Sequence, residues 1–323
     1  MTVPVTVTVD IAGAQMGGAA RYAAELRGYL IRTGRTDVQL IGATRRVDPG
    51  WLVRREASMR SAARRVAVNN VGFVGPGGQR WTLLRNALHF LTAAEAAQLD
   101  PALRASVRRE AAVVRLSARR AHVLVVPSTA MAQRVTRILP GTARRIVVRP
   151  HPVSADSVPR APRDPAILCP VLFAPYKRMD ERLTELLSAI ECCGDPAIRV
   201  RVTASPAELP APLASDARLE FVGRVDQLDL RQAWARSRAI YFPTGLESFG
   251  YPLAEARVSG QPVIARDTPQ NREIAGPALC GFTPGDADSL RRATMLALTR
   301  QVPPDPAPFE PDAYFSWLLG PAR

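Results

Sequence analysis

The chain has 323 residues, 47% of them apolar, with a formal net charge of +14. That length exceeds one ordinary core and suits two α/β domains, and no run is long and uncharged enough to span a membrane. Four cysteines, Cys169, Cys192, Cys193 and Cys280, lack metal-ligand spacing, which argues for reduced thiols and against a zinc site.

Residues 3–9 alternate Val and Thr and predict a strand, not the basic and apolar regions of a signal peptide, so a cytoplasmic protein is expected. Gly17 and Gly18 follow in a turn before a helical pattern over 19–31, where glycine lets a backbone approach a ligand closely. Residues 38–41 predict a second strand, 44–65 a basic stretch that reads as irregular or helical, and 66–74 and 86–90 two more strands, with His89 at the end of the latter. Strand ends are where catalytic groups gather in α/β sheets. A helix over 101–120, a strand over 123–126, a helix over 128–138 capped by Ser128 and a strand over 146–148 complete a first domain, residues 1–150.

Proline-rich residues 151–165 read as a linker, after which the alternation restarts in a second domain, residues 166–301. Strands are expected at 166–172, 199–203, 219–222, 237–243 and 262–265, and helices at 179–192, 228–237, 271–274 and 286–298. Residues 302–323 read as a proline-rich tail with a short aromatic end from Tyr314 to Trp317. Strand–helix alternation predicts parallel sheets covered on both faces.

Charge comes almost wholly from arginine. Of 43 basic residues one is lysine, Lys177, at a predicted strand-to-helix junction. A compact, mobile ammonium there suits phosphate oxygens. The arginine pairs are dispersed and lack interleaved aromatics, so no nucleic-acid partner is expected, while an anionic substrate or a peripheral membrane contact through the basic first domain stays open.

The organising stretch is Thr244-Gly-Leu-Glu-Ser-Phe-Gly-Tyr-Pro-Leu-Ala-Glu255. An apolar strand runs into it, and Pro252 with Leu253 and Ala254 begins a helix whose free N–H groups attract anions. Glu247 and Glu255 are eight residues apart, about 12 Å if helical. A hydrolase pair needs about 5 to 10 Å. The spacing fits two contacts on one elongated ligand, with Ser248, Phe249, Gly250 and Tyr251 between them.

On these residues the chain resembles the retaining glycosyltransferases of family four, with the GT-B architecture of two facing Rossmann-like, doubly wound domains. The Glu-x7-Glu motif, the lysine and the glycine turn carry the likeness. The resemblance implies a nucleoside-diphosphate-sugar donor, UDP- or GDP-linked, and a hydroxyl acceptor: a saccharide, a lipid-linked molecule or a small molecule. It further implies that Glu247 holds the transferred sugar, that Phe249, Gly250, Tyr251 and Pro252 line sugar and diphosphate, and that Glu255 takes the ribose. Lys177 matches the phosphate-binding lysine with Arg178 as its neighbour, Gly17 and Gly18 the glycine-rich loop, and His89 the active-site histidine. Gly223, Arg224 and Val225 match the segment at the base, and the end from Tyr314 to Trp317 resembles the start of a short helix packing towards the first domain. The family's frequent arginine five residues before the lysine is here Leu172.

Asp286-Ala-Asp288 has the spacing of a metal-binding carboxylate pair, yet it precedes an amphipathic helix and reads as an N-cap. No metal and no separate cofactor are expected. The alternative to an active retaining, metal-independent glycosyltransferase is a catalytically degenerate homologue that binds or scaffolds a partner.

Overall fold

A computed structural model describes residues 6–58, 62–155, 163–170, 177–225 and 227–321. The chain divides into two compact units: Met1–Pro152 with Leu246–Phe249 and Phe309–Arg323, and Val153–Gly245 with Gly250–Pro308. The middle of the Glu-x7-Glu stretch is thereby grouped with the first unit, whereas the sequence reading placed it wholly in the second. The tail divides likewise, its first residues with the second unit and its helix with the first.

In the first unit the order is β1 (Val7–Asp10), α1 (Gly17–Thr33), β2 (Val38–Ile41), α2 (Pro49–Ser58), β3 (Arg64–Ala67), β4 (Gln79–Leu83), α3 (Ala93–Ala97), α4 (Pro101–Arg120), β5 (Val123–Val126), α5 (Thr129–Ile138) and β6 (Ile146–Val148). All pairings are parallel, in the order β2-β1-β3-β4-β5-β6. Three expectations need correction here. The strand predicted over 66–74 ends at Ala67, because Asn69 and Asn70 turn the chain and Asn70 sits at φ 70°, a region asparagine tolerates. Residues 86–90 form a tight turn, since the Asn86 side chain caps the N–H of Leu88, so His89 lies on a 3-10 turn instead of a strand end. Gly17 and Gly18 open α1 itself.

The core of this unit joins Leu84, Phe90, Val114, Leu124, Val126, Met131 and Val135, with Leu246 packed against it. Each such side chain contributes about 1.5–3 kcal/mol on burial. Asp100 caps α4 with Pro101 at its first turn, and Ser128 caps α5 as expected, accepting from Met131. The last helix, α12 (Pro311–Leu319), belongs to this unit too. Phe315 packs against Tyr22 and Tyr29, and Trp317 meets Trp81 edge-on at 5.3 Å, geometries that add to plain burial.

The second unit runs β7 (Asp164–Cys169), α6 (Met179–Glu191), β8 (Arg199–Val202), α7 (Ala211–Ala214), β9 (Leu219–Phe221), α8 (Gln227–Arg236), β10 (Ser237–Phe242), α9 (Tyr251–Ser259), β11 (Val263–Arg266), α10 (Pro269–Ala275), β12 (Leu279–Phe282) and α11 (Ala287–Thr299). β7 begins inside the span read as linker, and Leu172 lies outside the described residues. The parallel order is β12-β11-β10-β7-β8-β9. Numbered within the unit this is 3-2-1-4-5-6, the doubly wound order, with its direction reversing between β7 and β10. Asp286 accepts from the N–H of Ser289 at 2.9 Å and caps α11, while Asp288 turns to Arg291 at 3.4 Å. Helix-capping accounts for Asp286, and an ion pair within the helix for Asp288.

Candidate functional site

Doubly wound sheets bind ligands outside the carboxyl ends of the strands at the reversal point, because the two flanking loops diverge there and leave a crevice. In the second unit β7 and β10 flank that point. The chain leaving β10 enters the stretch of residues 243–250, and the chain after β7 returns at Lys177. Lys177, Thr244 and the Gly250-led start of α9, all in the second unit, thus lie at one edge of one sheet.

The local chemistry follows from the backbone. Gly250 precedes α9 at φ 81°, and a Cβ there would stand 2.9 Å from Leu253 and 3.1 Å from Phe242, so only glycine fits. No side chain caps α9 and its first turn holds no acid, which leaves the positive end of the helix dipole to an incoming anion. Tyr251, Pro252 and Leu253 form that first turn. Glu255 follows, a carboxylate only 2% exposed on the same helix. Thr244, at the end of β10, is also buried, and its hydroxyl has no hydrogen-bond partner among the described residues. Buried polar groups of this kind call for explanation, and a bound ligand supplies one.

Lys177 is half-buried and near enough to the buried Cys169 to act on it electrostatically; burial pushes that thiol up to about 12 and the ammonium pulls it slightly back. Arg178 adopts the left-handed conformation before α6, and its Nε donates to Oε1 of Glu181 at 2.7 Å. Its charge is therefore partly answered by its own helix. Gly223, at φ 69°, Arg224 and Val225 follow β9 at the same carboxyl edge, and Arg224 pairs with Glu208 at 3.1 Å.

Within the first unit, the Ser248 hydroxyl donates to the carbonyl of Arg85, and Ser128 Oγ donates to the carbonyl of Ser248 at 2.9 Å. Phe249 is buried against His151 and Phe309, so it serves as packing. Glu247 is half-buried. His89 is buried beneath α4, its Nε2 3.5 Å from Glu110, and burial holds it below its ordinary value despite that carboxylate.

Arg85 is the residue sequence reasoning passed over. Its guanidinium donates to the carbonyl of Gly18 at 2.7 Å, the carbonyl of Val68 at 3.3 Å and Nε2 of His151 at 3.3 Å, and it lies 4.4 Å over Tyr22. His151 is held well below its ordinary value, chiefly by burial and then by Arg85, and stays neutral. Nothing in a sequence with 42 arginines marks this one. Among the described residues no cluster of three or more His, Cys, Asp or Glu is arranged to hold a metal ion.

Two parallel six-stranded α/β sheets of this kind define the GT-B fold class, and the chain carries a segment of matching type: residues 213–309 fit the family model of glycosyl transferases group 1. O-antigen chain mannosyltransferase B of Escherichia coli is 29% identical over 80 residues, 25% of this chain and 21% of that protein, so the match spans about a fifth of that relative's length. WaaG, a glycosyltransferase involved in lipopolysaccharide biosynthesis, superposes with a TM-score of 0.64 at 15% identity, covering 98% of this chain and 100% of that one. Sucrose-phosphate synthase from Thermosynechococcus elongatus gives 0.62 at 15% identity, with 94% and 90% covered. The pneumococcal O-GlcNAc transferase GtfA, solved with UDP and GlcNAc, gives 0.52 at 14% identity, with 77% and 52% covered.

Proposed function

We propose that the protein is a retaining, metal-independent glycosyltransferase that moves a sugar from a nucleoside-diphosphate-sugar to a hydroxyl acceptor. The observation that carries the reading is the reversal point of the second sheet, where the Lys177 turn and the uncapped, glycine-led start of α9 occur together. The group 1 segment and the likeness to a transferase solved with UDP and GlcNAc support the donor class.

In this reading the α9 N–H groups and the Lys177 ammonium hold the diphosphate and neutralise the charge that develops as it leaves, a term usually large in such reactions. Arg178 contributes less, being engaged by Glu181. Glu255 takes the ribose hydroxyls, Glu247 the transferred sugar, and residues 223–225 the base. The acceptor hydroxyl attacks on the face that the diphosphate leaves and passes its proton to a phosphate oxygen, so no protein nucleophile is assigned. Gly17, Gly18 and His89 enter on sequence resemblance alone. A cytoplasmic location and a membrane contact through the basic first unit belong to the same proposal; among the described residues no helix is long and apolar enough to cross a membrane.

The test is a thermal-shift panel of UDP- and GDP-sugars with and without magnesium, followed by a donor-hydrolysis assay in a chelator. Stabilisation by one donor, which mass action converts into a higher Tm, and turnover that survives chelation are expected. Stabilisation without turnover would favour the non-catalytic homologue, and absence of any response would overturn the reading.

A further inference from the structure

From Arg104 to Arg120, helix α4 carries six arginines, Arg104, Arg108, Arg109, Arg115, Arg119 and Arg120, against the single acid Glu110. Its inner arc, Val107, Ala111, Val114 and Ala118, is buried in the unit's core. At about 100° per residue, Ala105, Arg109, Ala112, Val113, Leu116 and Arg120 share the outer arc. Arg108 and Arg119 border it, and all eight residues are exposed. Val113 is 45% and Leu116 60% exposed, so the middle of a basic face is apolar.

A single exposed leucine is ordinary. Here it is ringed by guanidinium groups that form no ion pair among the described residues. More basic groups gather at the end of the helix. Arg80 Nε donates to the carbonyl of Arg120 at 2.9 Å and Arg145 to that of Arg119 at 3.0 Å, with the His122 ring 3.1 Å from Arg80.

We propose that this outer face of α4 docks on an anionic lipid bilayer, with Val113 and Leu116 at the headgroup boundary and the surrounding arginines on lipid phosphates. A bilayer satisfies both halves of the pattern: acidic headgroups answer the charge, and the apolar boundary covers the leucine while arginine stems reach back to the surface. A polynucleotide would answer only the charge, since the face offers no aromatic ring for bases to stack on. This docking names the surface behind the membrane contact proposed above, and it stands whether or not the protein transfers a sugar.

The experiment is co-sedimentation of the full chain with phosphatidylcholine vesicles, with or without phosphatidylglycerol, and with an oligonucleotide as a competitor. Binding to the anionic vesicles alone is expected. Each arginine near the surface is worth about fivefold, so joint substitution of Arg108, Arg109, Arg119 and Arg120 by Gln is expected to weaken binding more than about a hundredfold. A charge-matched control replaces the exposed Arg27, Arg45, Arg46 and Arg292 by Gln and is expected to stay within about fivefold of the parent. Leu116→Asp is expected to lose about tenfold or more, because it puts charge where the apolar boundary lies. Circular dichroism checks folding, and if the quadruple variant does not fold, Leu116→Asp and the control decide. No anionic vesicle binding, equal loss in the control, parent-like binding by Leu116→Asp, or oligonucleotide binding that replaces vesicle binding would each overturn the proposal.

Discussion

Both units have a reversal point at the carboxyl edge of a parallel sheet, and the chain treats the two differently. In the first unit the point lies between β1 and β3, and protein fills it. Asp10, the last residue of β1, is fully buried and accepts from Arg55, from Asn69 at 2.9 Å, from the N–H of Ala12 at 3.0 Å and from the Trp51 indole at 3.2 Å. Gly42, at φ 77°, leaves no room for a side chain, since a Cβ there would lie 2.7 Å from the Asp10 carboxylate and 2.9 Å from Trp51. In the second unit α9 starts at the corresponding edge with no side-chain cap and no first-turn acid, whereas α6 opens there on Asp180 and Glu181 with Lys177 just before it. A reversal point thus makes a plug in one unit and a candidate donor site in the other, in parallel sheets of different strand order. The side chains that follow the strands set the two apart.

The largest expected effect tests the plug. Arg55 and Asp10 are 1% and 0% exposed, and removing one partner of such a pair leaves an uncompensated charge. Arg55→Met is expected to cost about 3–5 kcal/mol in urea unfolding. A loss below about 1 kcal/mol, the worth of an exposed pair, would mean that the carboxylate is held by its neutral donors. The open edge is tested by Lys177→Ala, expected to lower kcat/KM by a hundredfold or more, about 3 kcal/mol of transition-state stabilisation, with Tm little changed. Arg178→Ala, by contrast, is expected to cost less than about tenfold, because its guanidinium is engaged by Glu181 while Lys177 is the proposed phosphate ligand. Equal losses for the two would erase that distinction.

Smaller effects concern the interior of the first unit. His151 is neutral in the folded chain and held well below its ordinary value, so on acidification the unfolded chain takes up a proton before the folded one. Stability should fall as pH drops below about 6.5, by up to about 1.4 kcal/mol per unit. His151→Gln removes that slope, and a parent and variant with parallel urea midpoints between about pH 5 and 7 would contradict the assignment. Glu95 behaves with the opposite sign of charge. Its bidentate contact with Arg134 lowers it to about 2, so its contribution is whole above its unfolded value near 4.5 and disappears as pH falls towards 2. Glu95→Gln is expected to cost about 1 kcal/mol at neutral pH, measured as a shift in the urea midpoint.

The contrast between the units was only partly legible in the sequence. Long amphipathic helices with clear caps, such as α4, α5 and α11, lie at or within a residue of their expected bounds, because Asp100, Ser128 and Asp286 announce them. Short strands were harder. β4 starts with Gln79-Arg80 and β12 contains Gly281, so neither shows an apolar run, and the contacts that make them strands come from distant neighbours. The residues proposed for the donor stood out in the sequence, Lys177 as the lone lysine and 244–255 through its spacing. Asp10, Arg85 and His151 did not, because their roles arise from partners 45, 67 and 66 residues away. Ser248 and Phe249 kept their place in the motif, yet their side chains serve a serine clamp and an aromatic cluster, which spacing alone does not reveal.

The central claim is that the second unit's reversal point holds a nucleoside diphosphate through Lys177 and the start of α9. Calorimetric titration of UDP and GDP into the parent and into Lys177→Ala tests it most directly. One of the two nucleotides is expected to bind the parent, with affinity falling about a hundredfold or more in the variant while its Tm without ligand stays unchanged. Equal affinity in the two proteins, or no binding of either nucleotide to the parent, would contradict the account.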